Sequence, residues 1–322
     1  MEVNFTDAHD ARQTEEWGKY LSTMGWKIEK IKDVLKNGKS NNDIFLFVRI
    51  FPIFGTLIKV QHPKGKIPFQ KIDSLAGKYK ASAIVIEPDV VGYNKNEYVK
   101  NGFRVSKLRY AFSCTIRIDL TRNEDQIIKS FSENARRNIK KAQNKLAIKQ
   151  VQLTEANIER TSKQFYSLYK SLGKRKKFYV PSYKETRSKM KAFKKTSTVL
   201  FAYPKNPQQI ENNPPVAALW VGNCRNTAVY FHPGNTKIGY ELNANYLLVW
   251  EAMLLAKKQN MQFFDFESAF DPRYPKENTR WKGYTDFKKK FGGEVILFPP
   301  SWIKFYNPVF KCFYLFGTFF SK

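Results

Sequence analysis

The residues whose pattern most directly suggests chemistry in this sequence are its cations. From Thr121 to Leu146, the residues Ile128, Phe131, Ala135, Ile139, Ala142 and Leu146 recur every three or four positions, which predicts a helix with one apolar stripe. Arg136, Arg137, Lys140, Lys141 and Lys145 fall largely on the other side, because residues four apart share a face. The nearby acids Glu124, Asp125 and Glu133 all precede the cations. A solvated basic face and an anion-binding face are both open. A second basic run, Lys288-Lys289-Lys290, stands just before Phe291-Gly292-Gly293. Metal and disulfide chemistry have little to work with. Cys114, Cys224 and Cys312 are odd in number and form no CxxC, and His9, His62 and His232 lack a spacing such as HExxH. No metal site and a reducing compartment are therefore expected. A Cys114–His232 pair stays open beside a buried thiol and an incidental imidazole.

The elements that position such residues need a core, and the composition supplies one. The chain has 322 residues, 42% hydrophobic and 16% aromatic, with 56 Lys+Arg against 28 Asp+Glu and a net charge of +28. That apolar content excludes a disordered basic tail. A folded protein this basic is expected to meet a polyanion: nucleic acid, a phosphorylated substrate or acidic lipid. The opening residues, Met1 to Asp10, have neither a basic n-region nor an apolar h-region, so no signal peptide is read there. Ile44 to Val60 is broken by Arg49, Pro52, Gly55 and Lys59 and reads as two strands around a turn. Phe310 to Phe320 is far short of the roughly 20 apolar residues that span a membrane. It reads as a core-docking helix, with an aromatic contact to a membrane surface as the other reading.

A helix over Glu15–Leu21, a strand near Lys27–Ile31, strands at Ile44–Ile50, Thr56–Val60, Ala83–Glu87 and Tyr110–Asp119, and a helix near Asp73–Lys80 give a mixed α/β first part. Thr121-Arg122-Asn123-Glu124 reads as a capping box for the basic helix. A strand near Ala147–Leu153 follows, then a helix over Asn157–Leu172 ended by Gly173, with Lys174–Phe178 as a basic loop. Later come a basic helix at Tyr183–Phe193, three strands within 199–232, a surface loop at Asn206–Pro214, a helix at Asn245–Gln259 and a strand at Phe263–Phe266. The second half thus repeats the element order of the first, which suggests two similar α/β units.

Several segments, in order along nearly the whole chain, resemble the FemABX family of peptidoglycan aminoacyltransferases, which carry an amino acid from aminoacyl-tRNA onto a cell-wall precursor peptide. They are Glu16-Trp17-Gly18-Lys19 with Gly25-Trp26; Ile86-Glu87-Pro88; Thr115 to Leu120; Ser130 with Ala135 to Ala142; Asn245 to Ala252; Phe264-Asp265-Phe266; Phe287 to Glu294; and Tyr306-Asn307-Pro308. The resemblance implies two acetyltransferase-like (GNAT-like) α/β domains with mixed sheets flanked by helices. Domain 1 would cover 1–151, completed by 295–322, and domain 2 would cover 152–294. No long helical arm is present, so the chain looks like the compact members.

The same resemblance implies the chemistry. No Gln/Arg-x-x-Gly-x-Gly/Ala loop, the coenzyme A cradle of acetyltransferases, follows a predicted strand. No cofactor is therefore expected, with aminoacyl-tRNA as co-substrate. Attack of an amine on the ester makes a tetrahedral oxyanion, and a fixed cation stabilises it. Lys288, after Phe287, resembles the lysine given that role, and the other reading of the Lys288–Lys290 run is a solvated one. Glu87 is a candidate to orient or deprotonate the amine, or else a strand-end carboxylate paired with a lysine. Lys19 resembles the lysine that binds the phosphate-bearing precursor. Arg136, Arg137, Asn245, Tyr246 and Phe287 complete the implied substrate-binding set. Two departures stand out. Lys177 to Pro181 replaces a stretch that often carries an arginine, and Phe266-Glu267-Ser268 stands where many members have a Phe followed soon by Gly. The implied partners are aminoacyl-tRNA and a UDP-linked or lipid-linked muramyl peptide, with peripheral membrane contact, no DNA, and a cytoplasmic location at or near the inner face of the membrane. The alternatives are a GNAT-like acyltransferase acting on a polysaccharide or other amine with a different donor, and a non-catalytic RNA-binding protein of the same fold.

Overall fold

The structure, a computed structural model, describes residues 3–32, 43–205, 214–275 and 279–319. The loop expected at 206–214 lies almost wholly outside them. Contacts divide the chain into two units, Arg12–Ser113 with Leu297–Lys322, and Met1–Ala11 with Cys114–Ile296.

The first of these is built on a six-stranded sheet in the order Lys27–Ile31, Ile44–Phe51, Gly55–Gln61, Ala81–Glu87, Trp302–Phe305, Arg104–Val105. Gly55–Gln61 and Ala81–Glu87 run parallel, and the helix Phe69–Lys78 crosses between them. Phe69, Ile72 and Ala76 point from that helix into the core, a helical spacing that covers one face of the sheet. Every residue of Ala81–Glu87 is buried, as expected of a strand with neighbours on both edges. Its second neighbour, Trp302–Phe305, comes from far along the chain, with Trp302 opposite Ile86 and Phe305 opposite Ala83.

The other unit repeats the plan. Its seven strands lie in the order Glu294–Leu297, Cys114–Asp119, Phe263–Ser268, Thr227–Asn235, Ala217–Cys224, Ser197–Pro204, Leu146–Gln152. Thr227–Asn235 and Phe263–Ser268 are parallel, and the apolar helix Ala244–Lys258 connects them. The repeated order read from sequence therefore has a physical basis, one βαβ crossover in each sheet. The dividing line differs from the expected one at 151. Cys114–Asp119 pairs with Phe263–Ser268, and Leu146–Gln152 pairs with Ser197–Pro204. Those ladders tie 114–152 to the seven-stranded sheet.

Three local expectations change. The basic helix is two helices, Glu124–Lys129 and Glu133–Lys145. Asn123 and Gln126 form the capping box of the first, and Thr121 instead donates its backbone N–H and its hydroxyl to Asp119. Ser132 caps the second by accepting the Ala135 N–H at 3.2 Å. The helix expected to stop at Gly173 runs over Ile158–Lys176 and ends at Lys177, whose φ is +55°. Gly173 is needed for packing, because a Cβ there would sit 2.2 Å from Val180 Cγ2. The tail helix, Pro308–Phe319, leaves much of its apolar surface outside the core: Val309, Phe313, Leu315 and Phe316 are exposed.

The Phe-Gly-Gly turn after Lys288 shows why its glycines are required. Gly293 has φ +86°, and a Cβ on it would lie 2.5 Å from the Arg117 carbonyl oxygen and 2.4 Å from Ile118 Cδ1. Gly293→Ala should therefore lower stability by more than about 1 kcal/mol. Urea denaturation with an unchanged m-value would show it, and a midpoint equal to wild type would remove the steric argument.

Candidate functional site

In the seven-stranded unit the parallel pair is short. Thr227–Asn235 and Phe263–Ser268 are paired only at Thr227, Ala228 and Val229 with Phe263, Phe264 and Asp265. Beyond that point the registers of both strands with their outer neighbours slip, between Tyr230 and His232 and between Asp265 and Ser268. The ladder thus opens toward the carboxyl ends of two parallel strands, the place where α/β sheets take ligands.

Lys288, on the helix Lys282–Lys289, reaches this opening. It is 2% exposed, and Nζ donates to the carbonyl oxygens of Phe266 and Ser268, each at 2.6 Å. Both carbonyls flank Glu267, whose backbone φ is +57°. A left-handed residue here reverses the peptide planes and aims the carbonyls on either side at one ammonium. This chain thus holds a glutamate in a conformation that glycine adopts far more readily. The turn is held from behind. Asp265 Oδ1 accepts the Glu267 N–H at 2.7 Å, and Asp265 Oδ2 accepts Arg117 Nε–H at 2.8 Å. The Thr115 hydroxyl is shared between Asp265 Oδ1 and the Glu267 carbonyl oxygen. Arg117 is fully buried and also donates to the Phe5 carbonyl at 2.7 Å. Tyr284 lies with its ring 4.3 Å from Lys288 Nζ and its hydroxyl bonded to Ser268.

Burial lowers the Lys288 pKa to about 7, against the opposing pull of Glu267, Asp265 and Cys114. The folded pKa is below the unfolded one. Between pH about 7 and about 10 the unfolded chain holds a proton that the folded chain has released, so stability rises with pH across that window. Below it the penalty for burying the ammonium is fully present. The melting temperature of wild type, measured against Lys288→Met, should climb from pH 7 to pH 10. A difference flat in pH would contradict the assignment.

His232 sits at the bulge of the neighbouring strand. Its Nε2 is 3.3 Å from Lys189 Nζ, its Nδ1 is 3.4 Å from the Tyr169 hydroxyl, and its ring stacks on Tyr169. Burial, with Lys189 and Lys288 adding, holds His232 well below the usual imidazole pKa, so it is neutral. An ammonium can only donate, so Nε2 is the acceptor and Nδ1 carries the hydrogen. Nothing in the sequence pattern flagged this trio. Its members are 20 and more residues apart, and the packing of the helices Ile158–Lys176 and Tyr183–Ala192 with the bulged strand brings them together. Cys114 is buried, with its thiol pushed up to about 11 by desolvation, as expected of a structural cysteine. Among the described residues no group of three or more His, Cys, Asp and Glu could hold a metal ion.

The other expected site residues are distributed as follows. Tyr246 and Phe287 meet edge to face at 5.0 Å in the seven-stranded unit, and the Tyr246 hydroxyl donates to Asn134 at 3.2 Å and accepts from Lys290. Asn245 is half-buried, and its Oδ1 is buried without a hydrogen-bond partner. Arg136 and Arg137 are exposed on Glu133–Lys145, the same helix as Asn134. Lys19 and Glu87 belong to the six-stranded unit. Lys19 is exposed on the helix Glu15–Thr23. Glu87 ends the central strand, buried, with Oε1 accepting the N–H groups of Tyr110 at 2.5 Å and Ala111 at 2.8 Å. Its pKa is raised, mainly by burial. Facing it is Lys59, a buried lysine whose Nζ lies 4.2 Å from the Trp26 ring. Its pKa is pushed down to about 8 by burial, with Arg12 and Arg49 adding and Glu87 opposing. Trp26, part of the Gly-Trp motif, thus serves as the lid of a cation–aromatic cluster.

Compared with solved structures, this arrangement has a close counterpart in outline. The crystal structure of FemX superposes with a TM-score of 0.79 over 98% of this chain and 99% of its own, at 14% identity. The chain has the FemX fold. A conserved protein of unknown function from Bacteroides thetaiotaomicron matches more loosely, with a TM-score of 0.58 and 10% identity over 92% of this chain and 91% of that one. L-PGS from Bacillus licheniformis has a TM-score of 0.52 and 13% identity over 89% and 88%. No protein-family model and no curated protein matches the sequence. The expected architecture of two α/β units with helices flanking mixed sheets is observed, in the fold of FemX. The longest helix among the described residues is Ile158–Lys176, so the described residues hold no long helical arm.

Proposed function

We propose that this protein is an aminoacyltransferase, moving an amino acid from aminoacyl-tRNA to a side-chain amine of a peptidoglycan precursor peptide. The observation that carries the reading is the FemX fold over 98% of the chain. Lys288, in the opening of the parallel pair, supports it chemically. In the reaction the amine nitrogen bonds to the ester carbonyl carbon, the bond to the ribose oxygen breaks, and one proton passes from the amine to that oxygen. Charge builds on the carbonyl oxygen in between. Two of the Lys288 hydrogens are bound by Phe266 and Ser268, so the third has a fixed direction and can meet that charge. Both substrates are polyanions, which gives the +28 charge a role. Lys19, Arg136 and Arg137 are assigned to phosphates of tRNA or precursor, and Asn245 and Tyr246 to the peptide. Glu87 is assigned to holding the 110–111 turn beside Lys59. The reaction takes place in the cytoplasm and needs no cofactor beyond the charged tRNA.

The test offers the purified protein a mixture of charged tRNAs with UDP-linked or lipid-linked muramyl pentapeptide. Labelled amino acid is expected to appear on the peptide. Turnover of acetyl-coenzyme A on an amine, with no transfer from any aminoacyl-tRNA, would replace this reading with that of a GNAT-like acyltransferase using a different donor.

A further inference from the structure

The helix Pro308–Phe319 and the hairpin between Ile44–Phe51 and Gly55–Gln61 build one surface within the six-stranded unit. The helix is anchored through Phe310 and Tyr314, four residues apart. Phe310 and Tyr314 pack on Phe305, and the Tyr314 hydroxyl accepts the Lys107 N–H at 2.8 Å. Asn307 caps its start by accepting the N–H groups of Val309 and Phe310. With that face used, Val309, Phe313 and Phe316 form an outward row at i, i+4 and i+7. Phe313 and Phe310 touch Phe54 of the hairpin turn, with ring centroids 6.3 and 6.4 Å apart. The patch therefore continues onto Phe54 and Ile53. Exposure reaches 81% at Ile53, 68% at Phe316 and 60% at Val309. A folded monomer seldom leaves so many large apolar groups together in water.

The segments that build this patch carry charge of one sign, and an acid bonded beside them, Asp73, is paired with Lys304 and with the Tyr306 hydroxyl. The segments 44–61, 99–113 and 297–319 contain no Asp or Glu, while they carry Arg49, Lys100, Arg104, Lys107 and Lys311 among others. Lys311 is exposed on the helix itself, and Lys107 is exposed beside Tyr314. A second copy of the chain docking here would bring lysines against lysines. An anionic bilayer would meet both features at once, taking the aromatic row into its interface and the lysines at its headgroups. No helix among the described residues is long and apolar enough to cross a membrane, which fits a surface that lies on lipid.

We infer that this helix and hairpin turn form a docking surface for an anionic lipid bilayer. The inference stands apart from the transfer reaction. The test is flotation of the full chain with phosphatidylglycerol–phosphatidylcholine vesicles and with phosphatidylcholine alone. Wild type should float at least about 10-fold more with the anionic vesicles. Ile53→Ser/Val309→Ser/Phe316→Ser, all at highly exposed positions, should lose that binding at an unchanged melting temperature. Lys107→Glu/Lys311→Glu, with the apolar row intact, should lose the preference for anionic lipid. Absence of wild-type flotation, or flotation untouched by the triple substitution, would overturn the inference. So would a dimer in sedimentation velocity that the triple substitution abolishes while vesicles bind nothing.

Discussion

Lys288→Met is expected to lower the turnover number about 100- to 1,000-fold with a small change in KM, the size of effect that follows loss of one fixed donor to an oxyanion. The argument rests on where its hydrogens go. Phe266 and Ser268 hold two of them in a buried position, leaving one to meet developing charge. Because burial brings the pKa to about 7, the cation is lost as pH rises through that value. The pH profile of kcat/KM should therefore fall above pH 7 in wild type. Lys288→Arg, always charged, should lose that descending limb even though its fork fits the carbonyls less well. A limb that descends below pH 7 and vanishes in Lys288→Met would assign the lysine as a base and overturn the donor role. A turnover number unchanged in Lys288→Met would remove it from the chemistry altogether.

The second large effect is structural. Arg117→Met should cost about 3–5 kcal/mol of stability, because it strands the Asp265 carboxylate in the core without its partner. Arg117 has no exposed surface, and its Nε–H lies 2.8 Å from Asp265. Pairing Arg117→Met with Asp265→Asn should recover part of the loss, and the double-mutant cycle measured by urea denaturation would show the coupling. Additive single losses would mean that the pair is not coupled.

Most strands and helices could be read from spacing alone. Alternation and β-branched runs marked the strands, and the periodic apolar residues marked Ala244–Lys258 and Ile158–Lys176. What failed locally failed for physical reasons. A serine pair broke the basic helix, and Gly173 served close packing in place of a helix end. The division at 151 missed because strand pairing across more than 100 residues leaves no local trace. In the candidate site, Lys288 was visible only through the Phe-Lys and Phe-Gly-Gly context around it. His232, Lys189 and Tyr169 were not visible, since they come from a bulged strand and two helices that meet only in the folded unit. The left-handed turn at Glu267 was equally hidden, because a glutamate there gives no sign of positive φ. The tail helix misled because a helix with two apolar faces gives the same periodic signal whichever face is buried.

The strand Trp302–Phe305 lies between Ala81–Glu87 and Arg104–Val105, and this order has a consequence for synthesis on the ribosome. Residues 12–113 leave the exit tunnel long before residues 302–305 do. Until then, one edge of the fully buried strand Ala81–Glu87 has no partner. An unpaired, apolar strand edge is a template for joining other chains. The nascent protein must therefore carry an open sheet through the translation of nearly 200 further residues, counted from Ser113 to Trp302. Chains cut short before Trp302 should depend on holding chaperones and aggregate without them, whereas full-length chains close that edge with their own late strand.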